Sequence, residues 1–151
     1  MKRLNLPTYS FNIKSDNGRR LIFDPCRSKW VALTPEEWVR QHLIRYFSED
    51  LGYPLGLIAT EMSVMLSSRL RRCDIVVHNK RGEAVMIVEC KAPGINLSQA
   101  SFDQVNQYNW ALGVPLLIVS NGMKHFCLER EGNKFVFRDS FPDFDHLDSQ
   151  S

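Results

Sequence analysis

The chain has 151 residues, of which 44% are hydrophobic and 24% are charged, and its formal net charge is +2. A chain of this length and composition is expected to form a single globular domain with a core of its own. The small net charge excludes the strongly basic class of nucleic-acid binders, so any contact with DNA or RNA must come from a local cluster of charges.

The cysteine pattern and the short apolar runs predict a cytoplasmic protein. The four cysteines are widely separated and form no C-x-x-C pair, which argues against a disulfide framework or a zinc site. No apolar run approaches the length of a membrane span, and the first ten residues lack the apolar segment of a signal peptide. We therefore expect no membrane contact.

The N-terminal region predicts a β-hairpin followed by a short strand. The sequence Ser15-Asp16-Asn17-Gly18 is a strong turn signal, and it separates two predicted strands at 9–13 and 19–23. A further short strand is predicted at 30–33. This region is expected to cover one edge of a core formed by residues 34 to about 138.

A helix is predicted to begin directly after these strands. Thr34 is suited to the N-cap and Pro35 to the first helical position, and the apolar spacing carries the helix to about residue 49 or 50. Glu37 stands where it completes a capping box, which is the simpler interpretation of it. The same residue could instead face the interior of the protein.

Three strands are predicted in the middle of the chain. The first covers residues 57–66 and carries Glu61 at its centre, and the next two, 73–78 and 84–91, form a hairpin around a turn at 79–83. Three arginines precede this hairpin. They form either a solvated face or a surface that contacts phosphates, and the sequence favours neither. The three are Arg69, Arg71 and Arg72.

The central hairpin carries charged residues where a buried hairpin should be apolar. Glu89 and Lys91 are two residues apart on one strand, so they point to the same face. A loop with an even number of residues brings Asp74 to that face as well. A four-residue loop at 80–83 would place Asp74 directly opposite Glu89.

Two carboxylates this close repel one another, and burial makes their charges still more costly. Lys91 would cancel one negative charge, and a divalent cation would cancel the rest; Mg²⁺ and Mn²⁺ suit such a small set of oxygen ligands. The alternative is a half-buried ion pair without a metal, formed by Glu89 with Lys91 or by Asp74 with Arg72. A short E-x-K pattern is common by chance, so the rest of the chain has to decide between these interpretations.

The C-terminal half predicts a helix, a buried strand and a second hairpin. Ser98 is suited to cap a helix that ends at Gly113, with Gln104 and Tyr108 as neighbours on one face of it. On the simplest interpretation Tyr108 belongs to the core and Gln104 to the surface. A buried strand at 114–120, a hairpin at 124–130 and 134–138, and a loosely attached tail at 141–151 complete the chain.

The predicted elements therefore form an α/β domain with a mixed sheet flanked by helices, in the order α-β-β-β-α-β with extra edge strands at both ends. Several catalytic patterns are missing from the sequence. It has no G-x-x-x-x-G-K-[ST] phosphate loop and no G-x-S-x-G elbow, and the spacing of its four histidines is not that of metal ligands.

Four segments in this order resemble the PD-(D/E)XK nuclease superfamily. They are Thr-Pro-Glu-Glu-Trp-Val-Arg-Gln at 34–41, Arg-Arg-Cys-Asp-Ile-Val-Val at 71–77, Ile-Val-Glu-Cys-Lys-Ala-Pro at 87–93, and Gln-Val-Asn-Gln-Tyr at 104–108. The chain is most similar to the N-terminal nuclease domain of type I restriction enzyme R subunits, over about residues 23–128. It has Cys73 where the name pattern has proline, a departure that is common in the branch with the Q-x-x-x-Y motif.

The resemblance implies a restriction-endonuclease-like core and a metal site. It implies Asp74, Glu89 and the backbone carbonyl of Cys90 as ligands of Mg²⁺ or Mn²⁺, and Lys91 as the catalytic lysine. Partial desolvation would be expected to lower the pKa of Lys91 and let it exchange a proton at neutral pH. Two further catalytic residues and four residues that bind nucleic acid are implied as well. Glu37 would lie at the metal site, with Glu36 as the less favoured neighbour; Gln104 would support Lys91; and Tyr108, Arg69, Arg71 and Arg72 would contact nucleic acid.

The leading hypothesis is a metal-dependent endonuclease that hydrolyses phosphodiester bonds, with DNA as the expected substrate and a 5′-phosphate product. The alternative is a non-catalytic module that binds nucleic acid or protein on the same fold. Because the chain carries no ATP-motor motif, a nuclease of this kind would act without translocation or with a separate motor or specificity protein. A homodimer would make it easier to cut both strands of a duplex.

Overall fold

The described part of the chain forms two β-sheets and three α-helices in a computed structural model. The structure describes residues 1–66 and 68–149, except for the side chains of Leu66, Tyr108, Trp110 and Ala111. The helices are α1 (Pro35–Arg45), α2 (Gln99–Leu112) and α3 (Phe144–Asp148). The strands are β1 (Ile13–Asp16), β2 (Arg19–Asp24), β3 (Lys29–Ala32), β4 (Ile58–Leu66), β5 (Arg69–His78), β6 (Ala84–Cys90), β7 (Leu116–Ser120), β8 (His125–Glu131) and β9 (Lys134–Arg138).

The larger sheet has six strands in the order β4-β5-β6-β7-β8-β9. Neighbouring strands are antiparallel except β6 and β7, which are parallel and are joined by a crossover that contains α2. A mixed sheet with helices on its faces is what the sequence predicts, so the α/β class and the order α-β-β-β-α-β are confirmed. Among the described helices, none is long and apolar enough to cross a membrane.

One face of this sheet packs against α1 and α3 and the other against α2, and the two packed layers form the core. Val39 and Leu43 of α1 pack in one cluster with Val88 of β6. Val105 of α2 packs in a second cluster with Ile87 of the same strand. Neighbouring residues of β6 thus face opposite helices, as the alternation of side chains along a strand requires.

The predicted N-terminal hairpin is present, but its first strand starts later than expected. β1 and β2 pair around Asn17 and Gly18, whose φ angles of 50° and 78° are both positive, as a two-residue type I′ turn requires. The expected strand at 9–13 is wrong, because its aromatic residues pack against α1 instead. Phe11, for example, lies 4.7 Å from His42 and 5.2 Å from Trp38 between ring centroids.

α1 begins as the sequence predicts. The Thr34 side chain accepts a hydrogen bond from the backbone N–H of Glu37 at 3.0 Å, and Pro35 is the first helical residue. The α-helix ends at Arg45, and the chain continues through a π-helical turn, Tyr46–Asp50, to the predicted end. A 3₁₀ turn, Leu55–Leu57, then leads into β4.

The register of the central hairpin depends on a bulge. His78 pairs with Ala84 around a five-residue loop, 79–83, but a shift beside Val77 leaves one extra residue in β6, and Ile75 then pairs with Val88. An odd loop plus one bulge residue has the same effect as an even loop. The faces are therefore those that the four-residue loop predicted, although the loop itself is longer.

The C-terminal elements follow the prediction as far as β9. Ser98 is the extended N-cap of α2, and Gly113 ends the helix in the left-handed conformation with φ of 61°. The strand expected at 114–120 is observed as β7, and the hairpin after it as β8 and β9.

The residues after β9 are packed on the core, so the expectation of a loosely attached tail is wrong for 141–149. Leu147 is fully buried and Phe144 is 7% exposed, both from the short helix α3. The Tyr53 hydroxyl donates to the carbonyl of Pro142 at 2.7 Å, and the Phe144 N–H donates to the carbonyl of Leu51 at 2.9 Å. Two apolar residues in a five-residue helix are too few to show periodicity in the sequence.

Candidate active site

Asp74 lies where β5 and β6 separate at one end of the sheet. The last pair of the two strands is Ile75 with Val88, so the next position would set Asp74 opposite Glu89. Asp74 Oδ2 accepts a hydrogen bond from the backbone N–H of Cys90 at 2.7 Å. The side chain thus bridges the two strands beyond their last backbone pair, and this fixes the carboxylate at the strand end.

Glu89, Lys91 and Gln104 meet beside this point. Lys91 Nζ lies 3.2 Å from Glu89 Oε1 and 3.3 Å from Gln104 Oε1. The Lys91 backbone N–H donates to the carbonyl of Ser120 at 2.8 Å, which continues the β6–β7 pairing past Cys90. The structure therefore brings together the side chains of Glu89 on β6, of Lys91 directly after this strand, and of Gln104 on α2.

The two carboxylates of the hairpin are both held in surroundings that disfavour their charge. Burial raises the pKa of Asp74 to about 6, although the Cys90 N–H and the Arg40 charge act in the other direction. Burial, followed by the charge of Asp74, raises the pKa of Glu89 to about 8, against the opposing effect of Lys91. Ionising both carboxylates at once is therefore costly in these surroundings.

The pKa of Lys91 is raised, not lowered as the sequence suggested. Burial alone would lower it, but the charge and hydrogen bond of Glu89 and the charges of Asp74 and Glu36 together outweigh burial. Lys91 is only partly buried, and it is fully protonated at neutral pH in these surroundings. It can donate hydrogen bonds and carry positive charge, but it is a poor base.

Glu37 belongs to a different cluster. Glu37 Oε1 accepts from Arg40 at 2.7 Å and from Arg27 at 3.0 Å, and its Oε2 accepts from Gln41 at 2.9 Å and from Arg40 Nε at 3.0 Å. Burial alone would raise the pKa of Glu37, but the hydrogen bonds and charge of Arg40 lower it below its usual value. The capping box is therefore half formed, because Thr34 caps the helix while the Glu37 carboxylate faces the interior.

Arg40 connects this cluster with the site, and sequence reasoning missed it. Its NH1 lies 2.7 Å from Glu61 Oε1 and 3.8 Å from Asp74 Oδ1, while its other nitrogens bind Glu37. The only signal in the sequence was its position three residues after Glu37, on the same face of α1. Glu61, which pairs with Arg40, lies on β4 and has a positive φ of 55°.

Glu36, rather than Glu37, adds charge to the site. Glu36 is exposed at the start of α1, and its negative charge contributes to the raised pKa values of Asp74 and Glu89. Adjacent helical residues point about 100° apart. One turn of α1 thus directs Glu36 to the site and Glu37 to the arginines behind it.

The predicted nucleic-acid residues lie in two places. The three arginines, Arg69, Arg71 and Arg72, belong to β5 itself and are exposed. Arg72 NH1 lies 3.8 Å from Glu61 Oε2, so the arginine strand reaches the edge of the site. Tyr108 is part of α2, but its side chain lies outside the described residues.

The donor set suits a hard cation that keeps several waters. Over residues 1–66 and 68–149, no group of three or more His, Cys, Asp and Glu side chains is placed to hold a metal ion. Asp74 and Glu89 offer two carboxylates, and a third protein oxygen would have to come from the backbone, as at Cys90. Few protein ligands and an excess of negative charge fit Mg²⁺ or Mn²⁺ better than zinc.

One cavity formed by described residues lies away from this site. Its volume is about 720 Å³, and its lining includes His125, Cys127 and Phe141 but none of Asp74, Glu89, Lys91 and Gln104.

Comparison with known families agrees with this geometry. Residues 35–142 match the family described as the N terminus of the type I restriction enzyme R protein. The chain belongs to this family. The match includes α1, the central hairpin, α2 and the C-terminal hairpin, and therefore every residue of the candidate site. No curated protein sequence matches the chain.

A solved structure shares the fold. A fragment of a putative HsdR subunit of a type I restriction enzyme from Vibrio vulnificus YJ016 superimposes with a TM-score of 0.59 at 17% sequence identity. The superposition covers 76% of this chain and 24% of that chain. The chain thus spans about a quarter of that fragment, and the likeness concerns the fold of this part alone.

Proposed function

We propose that this R-protein N-terminal domain is a metal-dependent endonuclease that hydrolyses phosphodiester bonds in DNA. The observation that carries the proposal is the convergence of Asp74, Glu89, Lys91 and Gln104 at the end of the sheet where β5 and β6 separate. Family membership supports a nuclease-like role, and the identity of the metal and the reaction are our inference.

Asp74 and Glu89 would hold Mg²⁺ or Mn²⁺, together with the backbone carbonyl of Cys90. Such an ion, when bound, supplies an activated water and polarises the scissile phosphate. The Cys90 N–H holds Asp74 Oδ2 in place at 2.7 Å, so Asp74 is oriented before any ligand arrives. Burial, followed by neighbouring negative charges, raises the pKa values of the two carboxylates, so their ionised forms are costly, and a bound divalent cation would offset this cost.

Lys91 would act as a charged hydrogen-bond donor to the phosphate and to the attacking water. Its raised pKa keeps the ammonium protonated at neutral pH, so we do not assign it the role of base. The Gln104 side chain, 3.3 Å from Nζ, would orient the ammonium toward the substrate. Gln104 is thus a positioning residue in this scheme.

We leave Glu37 out of the metal ligands, because both of its oxygens already accept hydrogen bonds from Arg27, Arg40 and Gln41. Its part would be to hold Arg40, which faces Asp74 and Glu61. Glu36 is the exposed acidic neighbour whose charge strengthens the attraction of the site for a cation.

The role of this domain in a larger restriction enzyme is a separate part of the proposal. The family name and the fragment both point to type I restriction enzymes, so we propose that this domain supplies DNA cleavage alongside separate motor and specificity functions. The expected product carries a 5′-phosphate. A homodimer, or two successive visits, would cut both strands of a duplex.

Plasmid nicking in the presence of Mn²⁺ or Mg²⁺ tests the proposal. We expect nicking by the wild type, none after chelation, and none in Asp74→Ala or Glu89→Ala. Asp16→Ala, an exposed change on the distant strand β1, is the matched control and should keep full activity. Nicking retained in both site variants would contradict the proposed site.

A second candidate is a binding module that does not cleave. It is favoured by the cations already present, since Arg40 faces Asp74 and Lys91 pairs with Glu89. That function predicts DNA binding that is the same with EDTA and with Mn²⁺, and no nicking under either condition.

A further inference from the structure

The pairing of β4 with β5 is interrupted beside the candidate site. The two strands keep one register on both sides of the interruption, and the position between would set Glu61 opposite Asp74. Glu61 has a positive φ of 55°, which is uncommon for a residue other than glycine and lies outside the strand region. β4 thus departs from regular strand conformation directly opposite the carboxylate that we propose as a metal ligand.

One nitrogen of Arg40 lies near both of these acidic residues. Its Nε and NH2 donate to the two oxygens of Glu37, at 3.0 and 2.7 Å. Its NH1 lies 2.7 Å from Glu61 Oε1 but 3.8 Å from Asp74 Oδ1. Its hydrogen bond to Asp74 goes to the backbone carbonyl, at 3.4 Å. NH1 therefore makes its short contact with Glu61 rather than with the Asp74 carboxylate.

The position of NH1 determines how available Asp74 is to a cation. A guanidinium bonded directly to a carboxylate lowers the affinity of that carboxylate for a proton by about tenfold or more, and it competes with a metal ion for the same oxygen. At 3.8 Å, NH1 is beyond hydrogen-bond distance from Asp74 Oδ1. Because Asp74 Oδ2 accepts from the Cys90 N–H, Oδ1 is the oxygen that a metal ion would use.

We propose that Glu61 is a positioning residue that holds Arg40 away from Asp74 Oδ1 and thereby keeps this oxygen available to a divalent cation. The assignment rests on the proposed function for the identity of the ligand. It adds a residue that acts on the metal site through an arginine rather than as a ligand. The positive φ of Glu61 fits this role, since two carboxylates directly opposite on regular strands repel one another, whereas here the Glu61 carboxylate lies at Arg40.

The effect of Glu61 on metal binding should depend on the presence of Arg40. Glu61→Gln keeps the shape of the side chain but removes its charge, so NH1 should move to Asp74, the other carboxylate that it faces. In a protein without Arg40 there is no guanidinium to hold. The same change then removes only the attraction of one partly exposed charge, which salt screens. A direct metal ligand would instead cost the same affinity with and without Arg40.

Isothermal titration of Mn²⁺ at pH 7 tests this dependence in two backgrounds. The first is the wild type, and the second is Glu37→Gln/Arg40→Met, which removes the buried arginine together with the charge that it compensates. We expect Glu61→Gln to weaken Mn²⁺ binding by about tenfold in the first background and by less than about threefold in the second. Glu49→Gln is the matched control: Glu49 also pairs with an arginine of α1, Arg45 at 2.8 Å, and this variant should bind Mn²⁺ as the wild type does.

An equal loss of affinity in both backgrounds would overturn the proposal, because Glu61 would then act as a ligand or through its own charge. Unchanged affinity in Glu61→Gln would overturn it as well. A crystal structure of Glu61→Gln in EDTA is the second measurement, and it needs neither metal nor the second background. NH1 should lie within about 3.2 Å of Asp74 Oδ1, and a guanidinium that keeps its wild-type place would refute the role of Glu61. No Mn²⁺ binding by the wild type would instead contradict the proposed metal site itself, whereas the metal-free structure tests the position of Arg40 independently.

Discussion

Two groups of buried carboxylates, linked by Arg40, behave in opposite ways. Glu37 is held by two arginines and an amide, and its pKa is lowered. Asp74 accepts from one backbone N–H and Glu89 pairs with Lys91, and burial raises the pKa of both carboxyls. The first group is compensated within the protein, whereas ionisation of the second is costly, and an outside cation would offset that cost.

The difference separates a structural role from a functional one. Buried carboxylates in a scaffold are expected to have enough hydrogen bonds and countercharge, because an unpaired buried charge is costly. A site that binds a cation must instead keep its charge available. By this criterion the Glu37 cluster supports the fold, and the Asp74–Glu89 pair is the metal site that we propose.

The largest effect is expected at Lys91. Lys91→Ala removes the charged donor beside the proposed metal ligands, and loss of such a donor lowers catalytic rates by about a hundredfold to a thousandfold. Metal affinity should be kept or increased, because a positive charge leaves the site. Single-turnover plasmid nicking and Mn²⁺ titration measure the two quantities. Lys124→Ala is the control, since Lys124 is exposed in a turn before β8.

A large loss of stability is expected at Glu37. Glu37→Ala leaves Arg40 buried with fewer partners, and breaking a buried ion pair in this way costs about 3–5 kcal/mol. Urea unfolding at pH 7 measures the free energy of unfolding. Glu37→Gln keeps hydrogen-bond acceptance and should lose less. A loss of unfolding free energy below about 1 kcal/mol in Glu37→Ala would contradict the structural role of the Glu37 cluster.

Substitution of Glu89 is expected to change stability in the opposite direction, towards greater stability, when no metal is present. Its pKa is raised to about 8 in the folded protein, so the folded state binds more protons than the unfolded state between about pH 4 and pH 8. Stability in EDTA should therefore fall as pH rises through this range, and Asp74, at about 6, acts in the same direction. Glu89→Gln should be more stable than wild type at pH 8 by about 1–3 kcal/mol.

Urea unfolding in EDTA at pH 5 and at pH 8 checks this. The two proteins should differ little at pH 5, where the wild-type carboxyl is protonated. An equal loss of stability in Glu89→Gln at both values would mean that Glu89 is an ordinary structural ion pair with Lys91.

The smallest effect is expected at Glu36. Glu36→Gln removes a charge that raises the pKa values of Asp74 and Glu89 without a direct bond to either. Mn²⁺ affinity should fall a few-fold at low ionic strength and the difference should shrink with added salt, because exposed charges are screened. A loss of affinity as large as that of Asp74→Ala would instead make Glu36 a direct ligand.

Much of the site follows from spacing along the chain. The alternation of a strand places Glu89 and Lys91 on one face, and helical spacing sets the start and end of α1 and α2, so these were predictable. The register of Asp74 was also predicted, although by a four-residue loop where the protein uses a five-residue loop and a bulge. Local spacing determines on which face of the sheet each side chain lies, even when the loop has another length.

What failed depends on contacts that form only in the folded chain. The inward turn of Glu37 is set by Arg27, in the turn before β3, together with Arg40 on the same helix, and the charge on Lys91 is set by carboxylates that cluster only in the folded chain. The docking of Phe144 likewise depends on a pocket beside Tyr53. Such contacts leave no periodic signal in the sequence.

The measurement that tests the central claim most directly is isothermal titration of Mn²⁺ into the wild type, Asp74→Ala and Glu37→Gln. The account predicts binding by the wild type, loss of binding in Asp74→Ala, and retained binding in Glu37→Gln. Equal binding by the wild type and Asp74→Ala, or loss in Glu37→Gln with the fold intact, would contradict the assignment of the two carboxylate groups.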